Sequence, residues 1–376
     1  MPDAESKGQR ETGIVERRAG APPFLSICVP QYNRTSFLIQ ACRSIAEQSV
    51  RDFEICISDD CSNDGREHEL ISYLESSGTR FVWARQPKNR RYDGNLRAAI
   101  ALARGEYCFL LGNDDALAEP DTLQQVANAL QSHRPSVAIC NYADFSSGEV
   151  YNRVPDGILG RGPEAAVALF RHVSFVSGVI LRREEAVAET TAAWDGSEMY
   201  QMYLTARMLA AGGSGLGISA IVVRKDIAIA GETVDSYAQR PRLQPCPIEE
   251  RKLNLVWIPR LVAAAIQPHV TPARHSALNR RVASQLLQFT YPFWLFEYRR
   301  IQSWKYAIGV ALGMRPRNVL RGVPLSLLDG LRLRLLYAAT TSAGLLIPRS
   351  WFERARTRLF AVAKSGSRNR PEALAS

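Results

Sequence analysis

The chain has 376 residues, 46% hydrophobic and 22% charged, an ordinary globular composition with room for one large core or two. Its seven cysteines form no CxxC pair and no Cys/His cluster at zinc spacing, which argues against a disulfide framework or a zinc module, and the odd count favours a reducing compartment. The net charge of +10 is unevenly placed: residues 1–235 hold 24 Lys/Arg against 31 Asp/Glu, a balance of −7, and residues 236–376 hold 23 against 6, a balance of +17, so two regions with different roles are expected.

Residues 1–22 lack the apolar run of a signal peptide and read as a disordered tail. From Phe24 onward, short apolar runs alternate with helical periodicity. FLSICVP (24–30) is a predicted strand, and Thr35 is expected to cap a helix whose Leu38, Ala41, Cys42 and Ile45 share one face. FEICIS (53–58) is a second strand, 66–76 a second helix, FVWAR (81–85) a third strand and 94–104 a third helix. EYCFLLG (106–112) follows as a strand, then a helix after Pro120, then SVAICNY (136–142) as a strand. This alternation predicts an α/β fold with a mostly parallel sheet and helices on both faces. Such sheets bind ligands beyond the carboxyl ends of their strands. Farther on, a helix starts at Pro163, SFVSGVILRR (174–183) reads as a strand, 198–211 as a helix and GISAIVVR (217–224) as a strand. Beyond about 235 the chain reads as helices broken by Pro241, Pro245, Pro247, Pro259, Pro268 and Pro292. No run reaches 18 consecutive apolar residues, so no transmembrane helix is expected.

Two of the predicted strands end in adjacent carboxylates. Asp59 and Asp60 follow FEICIS, and Asp114 and Asp115 follow EYCFLLGN; no Lys or Arg lies within nine residues of the second pair. An Asx-type turn or a helix cap is the structural alternative for each. The chemical reading of the first pair is a carboxylate that accepts from the imide N–H of a pyrimidine base. For the second it is a Mn²⁺ or Mg²⁺ site, since hard divalent ions prefer carboxylate oxygen and Mg²⁺ takes only one or two protein carboxylates beside ligand phosphates. Two acidic strand ends on one edge of one sheet strengthen both readings.

At this point LSICVPQYNRTSFLIQACRSIAEQSVRDFEICISDDCSNDG, followed by YDGNLRAAIALARGEYCFLLGNDDAL, resembles the nucleotide-binding half of a family 2 glycosyltransferase of GT-A fold. The GxDD ending is similar to bacterial abequosyltransferase-like and other O-antigen or capsule sugar transferases. The resemblance runs from about Phe24 to Leu123 and weakens through 124–235. It implies a Rossmann-like mixed sheet flanked by helices over 23–235, with a nucleotide-binding half (23–123) and an acceptor half (124–235). It also implies that Pro30 and Tyr32 cradle the nucleotide, that Asp60 with Asp59 beside it reads the base, and that Asn95 and Arg97 lie between base and diphosphate. Asp114 and Asp115 match the carboxylates that face the ribose and the metal. The commonest form of that motif has an acidic residue two before Asp114, where this chain has Gly112. The family's general base falls before a helix in the acceptor half, where this chain offers Asp195 and Glu198. SFVSGVI resembles the strand bordering the acceptor, with Gly178 allowing close approach. Trp194 and Tyr200 are candidates to stack on a sugar, with core packing as the alternative.

The implied reaction is transfer of a sugar from a nucleotide-sugar donor to a saccharide or lipid-linked acceptor, inverting and metal-dependent, in cell-surface polysaccharide synthesis. Two rival readings are a sugar nucleotidyltransferase, whose sheet usually opens with a Gly-rich loop and a Lys or Arg, and a non-catalytic binding protein of the same fold. VPQYNRTS has neither Gly nor Lys. The region 236–376 reads as basic amphipathic helices: TYPFWLFEYRRIQSWKYAIGVAL (290–312), LSLLDGLRLRLLY (325–337) and WFERARTRLF (351–360) mix Leu and aromatics with Arg/Lys. Residues 290–360 therefore suit an anionic membrane surface, with a cytoplasmic protein peripheral on the inner membrane as the expectation and a solvated helical subdomain as the alternative. A nucleic-acid partner is disfavoured, because no reader motif is present.

Overall fold

The computed structural model describes residues 13–232, 254–301, 304–348, 350–351 and 354. The first half follows the predicted alternation. Strand β2 (Leu25–Gln31) leads to α1 (Thr35–Ala46), β3 (Phe53–Asp59) to α2 (Glu67–Ser76), β4 (Phe81–Arg85) to α3 (Arg91–Leu102), and β5 (Tyr107–Leu110) follows. These strands pair in parallel in the order β4-β3-β2-β5. Every residue of β3 is buried, as expected of a central parallel strand covered on both faces. The register sets Gln31 opposite Asp59 and Asp59 opposite Arg85, so the polar ends of β2, β3 and β4 come out on one edge.

Ahead of them, β1 (Ile14–Arg17) pairs antiparallel with β4, so this part of the expected 1–22 tail is an edge strand; residues 1–12 lie outside the described residues. Arg17 fixes it by donating to the carbonyls of Glu75 and Thr79. The acceptor half continues the sheet. It comprises β6 (Ala116–Leu117), α4 (Thr122–His133), β7 (Val137–Asp144), β8 (Val150–Tyr151), β9 (Gly157–Arg161), α5 (Gly162–Leu169), β10 (Val179–Arg182), α6 (Arg183–Ala188), α7 (Tyr200–Ala210) and β11 (Ser214–Lys225). β10 lies antiparallel between β5 and β7, and β11 runs parallel to β7. The strand expected over 174–183 is confined to Val179–Arg182; the backbone before it turns through Gly178, whose φ of +77° favours glycine.

The predicted helical region follows as α8 (Ile258–Ile266), α9 (Pro272–Gln285), α10 (Tyr291–Ile301), α11 (Trp304–Gly313), α12 (Pro316–Val319) and α13 (Leu327–Leu346). It shares its core with the sheet. One cluster of buried residues runs from Cys28, Cys56 and Cys108 through Ala166, Leu204 and Met208 to Val262, Val282, Leu295 and Leu333. Arg207 on α7 donates to the carbonyl of Ala265, and Arg274 on α9 pairs with Glu164 on α5 at 2.5 Å. The second cluster fills the other face of the sheet with residues such as Leu38, Ile55, Trp83 and Phe109. No helix among the described residues is long and apolar enough to cross a membrane.

Candidate active site

The site forms where β2, β3 and β5 end. Just past β2, Asn33 and Arg34 adopt left-handed φ angles of 52° and 58°, which turn the chain back over the sheet edge. The turn is tied to the end of β3: Asn33 N donates to Ser62 Oγ (2.8 Å) and Asn63 N donates to Asn33 Oδ1 (2.8 Å). Thr35 begins α1 instead of capping it. Its N–H and its hydroxyl both donate to Asp64 Oδ2, so Asp64 from the neighbouring loop satisfies the helix end. Pro30 lies within β2, and Tyr32 stands 46% exposed just beyond it, leaving a ring open at the sheet edge.

Asp59 and Asp60 divide the work the sequence left joined. Asp59 is structural: it accepts from Ser62 N (2.8 Å) and lies 3.5 Å from the Arg85 guanidinium. Asp60 accepts from Arg90 N (2.6 Å), in the loop that leads into α3. Burial pushes its carboxyl above the ordinary value, with the Arg90 and Arg91 backbone N–H groups pulling it back. Asn95 lies within α3 and donates to the carbonyl of Gln31 (3.0 Å), while its Oδ1 is buried without a partner. Gln31 in turn accepts from Asn113 Nδ2 (2.7 Å) and donates to Asn33 O (2.6 Å). One amide chain thus joins the ends of β2 and β5.

Asp114 and Asp115 follow β5 and face different surroundings. Asp114 does have a cationic neighbour, 80 positions away: Arg34 donates to its Oδ2 at 2.5 Å. The expectation of a pair without a basic neighbour holds along the chain and fails in space. Asp115 is buried; its Oδ2 accepts from Ser177 Oγ (2.5 Å) and its Oδ1 from Asp226 N (2.9 Å). Burial, reinforced by the like charge of Asp114, pushes its carboxyl up to about 7. Gly112 explains its own presence: a Cβ there would lie 2.8 Å from Asp115 Oδ2, 3.1 Å from Asp114 Oδ1 and 3.3 Å from Ser177 Oγ. The two carboxylates therefore converge on one point kept clear by the glycine. A hard cation suits this donor set, since Asp115 is a buried anion beside a second anion. Among the described residues no group of three His, Cys, Asp or Glu side chains is arranged for metal.

Ser177, Arg34 and Asp226 have no signal in local sequence pattern. Ser177 is placed by Arg153, a buried arginine that donates to the carbonyls of Cys140, His172, Phe175 and Ser177 and lies over the rings of Tyr142 and Phe175. Burial lowers its guanidinium to about 10, and the neighbouring Tyr142 offsets part of this. Gly178 makes room for this arginine: a Cβ there would lie 3.0 Å from Arg153 Nη2.

Asp195 and Glu198 occupy the loop before α7. Asp195 is engaged by Arg97 through two hydrogen bonds, of 3.2 and 2.5 Å, so these two predicted residues bind each other. Glu198 has a left-handed φ of 57°, and its N–H donates to Asp93 Oδ2 (2.8 Å). Asp93 also accepts from Tyr200 N (3.0 Å), capping α7 from α3, and burial raises its carboxyl above the ordinary value. Tyr200 is core, fully buried with its hydroxyl 2.8 Å from Thr190 Oγ1; Trp194 packs 5.9 Å from the Tyr203 ring.

Residues 26–189 match Glycosyl transferase family 2. Abequosyltransferase RfbV of Salmonella typhimurium is 35% identical over 134 residues, 35% of this chain and 40% of that protein. A PGL/p-HBAD biosynthesis glycosyltransferase of Mycobacterium bovis is 34% identical over 116 residues, 31% of this chain and 45% of that protein. The chain thus spans less than half the length of these curated relatives. Among solved structures, S. aureus TarS 1–349 superposes with a TM-score of 0.59 at 13% identity, covering 92% of this chain and 91% of that one. The same TarS fragment has been solved with UDP-GlcNAc. Over residues 26–189 the chain is thus similar to glycosyl transferase family 2, and its fold is GT-A-like.

Proposed function

We propose that the protein transfers a sugar from a nucleoside-diphosphate sugar to a saccharide or lipid-linked saccharide acceptor in bacterial surface polysaccharide synthesis, with inversion and with Mn²⁺ or Mg²⁺. The observation that carries this is the convergence of Asp114 and Asp115 on the space above Gly112, at the end of the strand beside β2. Tyr32 would pack on the base and Asp60 accept its imide N–H, while Asn95 holds the β2 end in place through Gln31. Asp114 and Asp115 would hold the divalent ion; when bound, the ion neutralises the charge that develops on the departing diphosphate. Arg34, already paired with Asp114, adds a fixed positive charge on the same side.

The acceptor hydroxyl needs a base. Asp195, held at both oxygens by Arg97, and Glu198 stand on the same loop before α7, and one of these two carboxylates would take the proton. One relative is named an abequosyltransferase and another a PGL/p-HBAD biosynthesis glycosyltransferase, which supports sugar transfer as the reaction.

The test is turnover of a panel of UDP-, GDP-, dTDP- and CDP-sugars with and without Mn²⁺. Asp114→Asn and Asp115→Asn are expected to lower metal-dependent donor turnover by about a thousandfold or more, each with a cooperative unfolding transition retained. Of Glu198→Gln and Asp195→Asn, the one that removes the base should cost about 10²–10⁴ in kcat with little change in donor KM. Full turnover in the Asp114/Asp115 double variant would refute the site. Release of pyrophosphate in place of a nucleoside diphosphate would make the protein a nucleotidyltransferase, and metal-dependent nucleotide binding without turnover on any donor would make it a binding protein.

A further inference from the structure

Helix α13 carries two apolar faces, and the fold covers one of them. Leu333 and Gly344 are buried, and Tyr337 packs 5.9 Å from Tyr291 and donates to the carbonyl of Ala311. On the opposite side Leu327, Leu328, Leu331, Leu335 and Leu346 are 95%, 69%, 56%, 63% and 75% exposed. At 3.6 residues per turn these five fall within an arc of about 100°, along a helix of roughly 30 Å. Arg332 and Arg334, both exposed, border that arc on its two sides. The helix has one acid, Asp329, and it is turned inward: Ser276 donates to it at 2.9 Å and Arg280 lies 2.9 Å away. The outward face is therefore leucine flanked by arginine, with no carboxylate on it. Exposed apolar surface of this extent marks a contact site.

We infer that this face of α13 lies on an anionic lipid surface, with the leucines in the acyl boundary and the two arginines at the headgroups. The charge pattern selects this occupant. A second copy docked by the same face would bury the arginines of both copies in one interface with no carboxylate to pair them, because a two-fold interface is built from the same patch twice. The sequence beyond 354, which contains Arg356, Arg358, Lys364, Arg368 and Arg370 against a single Glu372, repels the same face. A lipid headgroup layer supplies the opposite charge, and long basic side chains bury their stems while keeping their heads at the phosphates. No helix crosses the membrane among the described residues, so the contact is in-plane. The inference rests on α13 alone and stands apart from the catalytic reading.

The experiment is co-sedimentation of the full chain with phosphatidylcholine vesicles, with and without phosphatidylglycerol. Wild-type protein is expected to bind the anionic vesicles and to be released by salt. L327E/L331E/L335E should weaken binding at least about tenfold, and R332A/R334A by about fivefold per arginine removed. The leucine variant should keep the wild-type thermal midpoint, because those three side chains are exposed, and the arginine variant should lie close to it, since Arg332 gives up only an exposed ion pair 3.6 Å from Asp329. Equal binding to neutral and anionic vesicles, or full binding by the leucine variant, overturns the inference. So does sedimentation of wild type as a dimer that the leucine variant abolishes while vesicles are ignored, which would assign the face to a second copy.

Discussion

Asp115 has to carry a charge where neither water nor a cation of its own sequence neighbourhood reaches it. Its folded carboxyl is pushed up to about 7 from an ordinary 3.8. The sign follows: this group contributes most to stability below about pH 4, and that contribution is lost as pH rises toward 7. The metal-free protein should therefore lose stability between pH 4 and 7, by up to about 1.4 kcal/mol per pH unit. Asp115→Asn should flatten the slope, as should Mn²⁺; urea unfolding at pH 5 and 8 measures it, and an unchanged slope in the variant would assign it elsewhere. Arg34→Gln leaves Asp114 poorly solvated beside Asp115, at a cost of about 2–3 kcal/mol. Divalent ion should restore more of the midpoint in that variant than in wild type. The carboxylates themselves were legible, because acids rarely end an apolar strand without a reason. Arg34 was not, because its partnership crosses 80 residues and is made by the left-handed turn after β2.

Elements were legible to the degree that their burial is uniform. β3 and β4 are buried almost throughout and read as apolar runs with boundaries within a residue of those observed. β1 alternates exposed and half-buried positions over four residues, and its short pattern IVER sits among charges, so composition pointed to a tail. Helix starts were harder, since their caps come from elsewhere in the fold: Asp64 from a loop serves α1 and Asp93 from α3 serves α7. Asp93→Ala should lower stability by about 2 kcal/mol, since it leaves the Glu198 and Tyr200 N–H groups without their acceptor. It should also lower kcat while sparing nucleotide affinity, because the loop carrying Glu198 loses its anchor and the β2–β3 edge does not. Calorimetry and nucleotide titration on the same variant separate the two effects.

At the level of the whole molecule, charge and proline content separated residues 236–376 from the rest, and the helical prediction held. Composition does not report what a helix packs against. The region shares a core with α5 and α7 through Val262, Ala265, Ile266 and Leu278, and it also leaves one leucine face outward on α13. Residues 352–353 and 355–360 of the predicted 351–360 amphipathic segment lie outside the described residues, as do Pro241, Pro245 and Pro247. A chain ended at 232 is expected to be insoluble or to unfold without cooperativity, because Ala166, Leu204 and Met208 lose their cover; light scattering and thermal melts would show it. The family match stops at 189 while the core continues through α7 into α9. Exchange of segments between paralogues therefore meets a packing seam with no linker in it. A crossover near 189 would join two halves of one interior, and only donors whose α7–α8 contact matches would yield a folded chimera. Change on this continuous scaffold is then tolerated more readily as point substitution than as replacement of a whole segment.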